Sequence, residues 1–261
     1  MKCLILAAGY ATRLYPLTEN YPKPLLEVAG KAIVDWLVDD LVEDGRVDAF
    51  AVVTNHKFPP HFENWAANRL MDYLELQDSA GDQGGMPGIA VVDDGTETNE
   101  TRLGAVRDIQ FALDELGWDD DLLVIAGDNV LDFSLSKFID YSLGKGTSCI
   151  MRYFEPDGAR LKKSGIVEID GDGLILGMEE KPAAPKSNWC CPPFYFYVKE
   201  DARRFSEGIA AGCGTDAPGS FVAWLSGQTR VHAMEMPGKR FDIGNLESYR
   251  NVCGNYRGII E

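Results

Sequence analysis

Residues 8–13 read Ala-Gly-Tyr-Ala-Thr-Arg, and ten residues after Arg13 comes Lys23, held between Pro22 and Pro24. Small residues let a main chain come close to a ligand and aim several N–H groups at one spot. Such a turn suits a row of phosphates, and Arg13 and Lys23 add fixed positive charge beside it. The turn is neither G-x-G-x-x-G nor a Walker loop, which sets aside a dinucleotide-dependent oxidoreductase and points to a nucleoside triphosphate. Farther along, Gly127-Asp128-Asn129 follows an aliphatic run. A carboxylate there stands at the edge of a cleft, where Mg²⁺ is held by one or two carboxylates and phosphate oxygens. Asp242, at a second strand end in Arg240-Phe241-Asp242-Ile243-Gly244, is the other candidate.

These residues need elements to hold them. Residues 2–7 read as a buried strand that feeds the turn, and residues 122–126 as a central strand covered on both faces. Strands at 49–54 and 89–92 alternate with helices at 33–44, 60–73 and 102–116, the first ending before Gly45. A glycine-rich loop is expected over 78–88. The second half changes character: strands at 148–153, 165–169, 174–179, 194–198, 231–236 and 239–241, a hairpin turn at 170–173, and helices at 201–211 and 246–256. We expect an α/β chain, a Rossmann-like three-layer sandwich on a mixed, mostly parallel sheet, with a smaller antiparallel lobe. Residues 1–261 read as one domain, with about 1–130 for the nucleotide and 131–261 for the second substrate. The loops that end the parallel strands should face the cleft.

Composition bounds the partners. The 261 residues carry a formal net charge of −16. An acidic surface repels nucleic acid polymers and anionic lipid, so a nucleotide must be met by a local positive pocket. Six cysteines, including adjacent Cys190-Cys191, show no zinc or disulfide spacing and suit a reducing cytoplasm. The apolar run at the start is shorter than a signal-peptide core, and no run reaches membrane-spanning length. Homo-oligomerisation is possible, with no interface legible. The three histidines are scattered, and each reads as structural or surface.

The opening stretch resembles that of the sugar-1-phosphate nucleotidylyltransferases, L-A-G-G-x-G-T-R-L-x-P-x-T followed by P-K-P. Gly9, Thr12, Arg13, Leu14, Pro16, Thr18, Lys23 and Pro24 match, and Ala11 stands where glycine is usual. Gly177-Met178-Glu179-Glu180-Lys181-Pro182 and Pro185-Lys186-Ser187-Asn188-Trp189 are similar to the E-E-K-P…P-K-S-N element of the thymidylyltransferase branch. The resemblance runs from Met1 to about Tyr249. It implies the nucleotide-diphospho-sugar transferase fold and the reaction of an NTP with a sugar 1-phosphate to give an NDP-sugar and pyrophosphate, dTTP or UTP with a hexose 1-phosphate being favoured. It further implies Arg13 and Lys23 as catalytic residues, Arg13 clamping the triphosphate and Lys23 near the α-phosphate. Leu6, Ala8, Gly9, Ala11, Thr12, Arg13, Asn99 and Thr101 would contact the nucleotide. Asn129, Gly165, Glu180 and Lys181 would contact the sugar phosphate, and Asp128 and Asp242 would hold Mg²⁺.

Two stretches depart from the pattern. Cys190-Cys191-Pro192-Pro193 replaces the A-V-T-G of the thymidylyltransferases, so that wall of the sugar pocket differs. Residues 93–105 lack the base-reading signatures of the main branches and resemble the phosphocholine cytidylyltransferase branch, with Thr98 or Asn99 alternatively capping the third helix. Two other readings therefore stay open: a cytidylyltransferase acting on phosphocholine or another non-sugar phosphate, and a non-catalytic nucleotide-sugar-binding regulator. No hexapeptide repeat precedes Glu261, so no fused acyltransferase is expected.

Overall fold

Strand β1 (Lys2–Leu6) lies at the middle of the sheet, parallel to β4 (Ala49–Thr54) on one side and β6 (Leu122–Ala126) on the other, with β5 (Ile89–Asp93) beyond β4. Four of the five residues of β6 are fully buried aliphatics, each worth about 1.5–3 kcal/mol of burial. The computed structural model describes residues 1–80 and 86–260, the side chains of 75–80 excepted.

The second half extends the same sheet. β12 (Phe194–Tyr197) pairs antiparallel with β6 and with β8 (Ser148–Phe154). On the same edge of β8 follows β11 (Trp189–Cys191), then β9 (Gly165–Ile169) and β10 (Ile175–Glu180); β13 (Val231–Glu235) runs parallel along the other edge of β8. Pro192 and Pro193 lie at the fork where β12 leaves β6 and becomes β11. Proline offers no N–H to a ladder, and here the Pro193 carbonyl still accepts from Ala126 N at 3.1 Å. The antiparallel lobe is thus one arm of a ten-stranded sheet.

Alternate residues of β1 serve opposite faces, as the period of a strand dictates. Cys3 and Ile5 meet α1 (Ile33–Asp44), α2 (Pro59–Ala80) and α4 (Ser136–Lys145); Leu4 meets α3 (Ala105–Leu116), α7 (Phe205–Ala210) and α8 (Gly219–Leu225). The expected three-layer α/β arrangement is the one found. Short helices α5 (Gly158–Leu161) and α6 (Lys199–Ala202) fill connections, and two two-stranded ribbons stand apart: β2 (Glu27–Val28) with β3 (Lys31–Ala32), and β7 (Asn129–Leu131) with β14 (Arg240–Asp242). The last helix is α9 (Leu246–Asn255).

Several boundaries differ from expectation. α2 runs on to Ala80, and residues 81–85 of the expected 78–88 loop lie outside the described residues. α3 starts at Ala105, three residues late, because Gly104 at φ 89° turns the chain against Thr215. Neither Thr98 nor Asn99 caps it; Gly104 does, and Thr98 and Thr101 close their own turn. The helix expected at 201–211 is two short ones, and α4, α8, β7 and β11 appear without having been expected.

Candidate active site

The turn after β1 is held from both sides. Buried Asn55 donates to the Ala8 carbonyl at 3.0 Å, and buried Thr18 donates to the Ala11 carbonyl at 2.8 Å. Ala11 sits in the left-handed region, at φ 47° and ψ 38°, which accounts for the glycine usual there. Its methyl costs about 1 kcal/mol. A Cβ on Gly9 would meet nothing within 4 Å, so that glycine serves the space outside the protein rather than its packing. Leu6, Ala7, Gly9, Ala11, Arg13, Leu14, Lys23, Pro24, Asp128 and Gly244 enclose a hollow of about 210 Å³. Ala8 is buried beneath the turn, and Thr12, on its exposed rim, opens the short 3₁₀ turn that carries Arg13.

Lys23 reaches this hollow because Pro22 and Pro24 flank it in a second 3₁₀ turn. A Cβ on Gly127 would lie 2.9 Å from Ile5 Cγ2 and 3.3 Å from Pro24, so the glycine lets the turn close on β1. Buried Lys23 then donates to Asp128 Oδ2 at 2.6 Å. Asp128 Oδ1 accepts 2.6 Å from the amide of fully buried Asn129, whose oxygen accepts 2.7 Å from Arg240 Nη1. Arg240 also stands 3.4 Å from Asp242 Oδ1 and 3.5 Å from the Tyr153 hydroxyl.

The β7–β14 ribbon places these groups. Asp242 is directly opposite Asn129, next to Asp128. Phe241, Ile243 and Val130 join a core with Leu14, Leu26, Val28 and Ile33, and Arg240 and Asp242 project from the other face. The sequence singled out both carboxylates and not Arg240, for which the alternation Arg-Phe-Asp-Ile was the available signal. Arg13 makes no ion pair with any described residue.

Beyond Arg13 and Gly244, which border both spaces, opens a cleft of about 780 Å³. Asp242, Arg240, Tyr153, Ser164, Gly165, Glu180, Cys191, Pro193, Tyr195 and Gly219 line it. Glu180 lies between two glycines: a Cβ on Gly165 would come within 2.9 Å of its Oε2, and one on Gly219 would overlap it. Burial pushes the Glu180 carboxyl up, against the pull of Lys181. Pro193 and Cys191 form the wall that the sequence marked as different. Lys181 is apart from this lining; at φ 48° it turns toward Asp216, 3.5 Å away.

Asp216 in turn holds Arg102 at 2.8 Å, and Arg102 donates to Asn99 at 3.1 Å. Asn99 therefore lines a separate hollow with Arg102, Gly104 and Asp216. Thr101 is engaged with Thr98. The loop of 93–105 is tied to the turn after β1 instead through Tyr10, whose hydroxyl donates to the Thr96 carbonyl at 2.8 Å. Thr96 donates twice to buried Asp94, at 2.7 Å each, and Asp94 neighbours buried Asp108. Burial and then the Asp94 charge push Asp108 up to about 7. Neither Asp94 Oδ2 nor Asp108 Oδ1 has a donor among the described residues.

Among the described residues no three or more of His, Cys, Asp and Glu gather as a metal site of their own. Asp128 on the small-residue hollow and Asp242 on the adjoining cleft are two hard oxygen donors, a set that suits Mg²⁺ completed by substrate oxygens.

A family model described as nucleotidyl transferase matches residues 2–257. Glucose-1-phosphate thymidylyltransferase of Mycobacterium tuberculosis is 31% identical over 99% of this chain and 83% of its own length. Glucose-1-phosphate adenylyltransferase of Fervidobacterium nodosum is 26% identical over 94% of this chain and 59% of its own. The chain thus spans little more than half the length of the first curated relatives it matches. A crystal structure of UDP-glucose pyrophosphorylase complexed with UDP-glucose superposes with a TM-score of 0.79, covering 98% of this chain and 97% of that one at 21% identity, a likeness of fold.

Proposed function

This chain belongs to the nucleotidyl transferase family, and we propose that it transfers a nucleotidyl group from an NTP to a sugar 1-phosphate, releasing pyrophosphate. The observation that carries this reading is the junction at Arg13, a cation without an ion-pair partner among the described residues, between a small-residue hollow and a cleft large enough for a sugar phosphate. The thymidylyltransferase and UDP-glucose pyrophosphorylase likenesses favour dTTP or UTP with a hexose 1-phosphate.

An oxygen of the acceptor phosphate forms the new bond to the α-phosphorus. The bond from that phosphorus to the bridging oxygen breaks, and its electron pair leaves on pyrophosphate. The protein forms no covalent bond, so its work is positioning and charge neutralisation. Arg13 holds the β- and γ-phosphates and offsets the charge of the leaving group. Lys23 supplies a charge at the α-phosphate, moving there from Asp128. Glu180, with its carboxyl between two glycines, accepts from sugar hydroxyls. Asp128 and Asp242 would hold Mg²⁺, which supplies charge neutralisation to the phosphates when bound. A surface with net charge −16 disfavours nucleic acid and anionic membranes as partners. Six cysteines without a disulfide suit the cytoplasm.

The test is pyrophosphate release in Mg²⁺, crossing dTTP, UTP, CTP, ATP and GTP with sugar 1-phosphates and phosphocholine. A sugar 1-phosphate pair should turn over, and Asp128→Asn should lower its rate at least about 100-fold. Turnover with phosphocholine alone would make the chain a cytidylyltransferase of another acceptor. Silence from folded protein that nucleotide still stabilises would make it a binding regulator.

A further inference from the structure

We propose that Arg240 is a catalytic residue that grips the attacking phosphate of the acceptor; this rests on the transfer reaction just proposed. The reacting phosphate must sit where the nucleotide hollow meets the acceptor cleft. Arg13 borders both spaces and is assigned to the leaving pyrophosphate; Arg240 is the half-buried cation of the cleft lining, bonded to Asn129 on the carboxylate ribbon beside the hollow and 3.5 Å from Tyr153 on the acceptor wall. Its side chain is only 17% exposed, and Asn129 and Asp242 fix its head. Besides Arg13, the other cations lining the cleft are Arg160, 73% exposed and near Glu155, and Lys163 on the surface. Lys181 is drawn off to Asp216.

A guanidinium has five N–H donors in a fixed fork. Those of Arg240 at Nη1 face Asn129 and Asp242, and Nε has no acceptor among the described residues, although the residue lines the cleft. A phosphate oxygen completes this set in the way a guanidinium fork is suited to do. Asn129 then acts as a positioning residue, joining Arg240 to Asp128 so that the attacking phosphate and the nucleotide side are set by one amide. In the bond-forming step Arg240 exchanges no proton; it holds the acceptor phosphate in line while one oxygen of that phosphate adds to the α-phosphorus and pyrophosphate departs.

The experiment compares wild type, Arg240→Lys and Arg240→Gln with the NTP and acceptor pair that the substrate panel identifies. Arg240→Gln should lose about 100-fold or more in kcat/KM for the acceptor, while KM for the NTP stays within threefold. Acceptor-induced thermal stabilisation should vanish and NTP-induced stabilisation persist. Arg240→Lys, which keeps the charge without the fork, should fall between the two, and it carries the comparison where Arg240→Gln does not fold. An unchanged acceptor kcat/KM, or NTP-induced stabilisation lost together with that of the acceptor, would show that Arg240 only props Asn129 and Asp242. A wild type that transfers to no acceptor would overturn the reaction itself, a result separate from either of these.

Discussion

Asp94 and Asp108 carry a consequence for pH. A carboxyl whose folded pKa lies above its unfolded value of about 4 favours the fold while protonated; that contribution is complete below pH ~4 and is lost as pH rises through the folded value. For Asp108 the loss ends near 7. Asp108→Asn removes the titration and keeps a donor for Asp94. It should therefore raise Tm by about 3–6 °C more at pH 8 than at pH 5. An equal shift at both would show that Asp108 does not titrate between them. At this scale much of the site was legible. Arg13, Lys23 and Asp128 stand in motifs whose chemistry is local: a small-residue turn, a proline-flanked cation, a strand-end carboxylate. Asn55 was not legible, since it acts on a residue 47 positions away, nor was the link from Asp216 to Arg102 over 114; Arg240 had only the strand alternation to mark it, and its bond to Asn129 spans 111.

Helix α8 shows what an element can place that a motif cannot. Its first residue, Gly219, comes from a stretch that reads as plain loop, yet it abuts Glu180 nearly forty residues upstream in the chain. A methyl there would overlap the Glu180 carboxyl and lie 2.9 Å from Met178 Cε. Both are ends of flexible side chains, so the fold can yield and the carboxylate must move. Gly219→Ala should raise the acceptor KM about tenfold, or about 1.4 kcal/mol, with Tm nearly unchanged. A normal acceptor KM would remove Glu180 from the sugar site. α1, which buries one face at the helical period, and β1, β4 and β6, apolar runs buried on both faces, lie where the sequence puts them. β7 and β11, three residues each, are too short to show a period, and α3 loses its first turn to a contact with Thr215 that no local signal encodes.

The whole molecule hangs on β12. Phe194-Tyr195-Phe196-Tyr197 is buried throughout and hydrogen-bonds β6 of the parallel half and β8 of the antiparallel arm. The two arms therefore share a strand as well as a core. Unfolding in urea should be one transition, with tryptophan fluorescence and far-UV circular dichroism giving the same midpoint. Two separated midpoints would mean that the arms fold on their own. The alternation of strands and helices disclosed the layers, and the aromatic run disclosed a strand; the shared edge lay beyond reach because pairing partners are not written in a strand's own residues.

The β7–β14 ribbon bears on how such a chain can diverge. Its alternate positions bear different loads: Val130, Phe241 and Ile243 pack in the core, while Arg240 and Asp242 line the cleft and Asn129 ties Arg240 to Asp128. Drift on one side leaves the other untouched. A lineage can thus change what its acceptor end accepts, one outward side chain at a time, while the inward ones keep the carboxylates in place, and descendants with new substrates can arise without passing through unfolded ancestors.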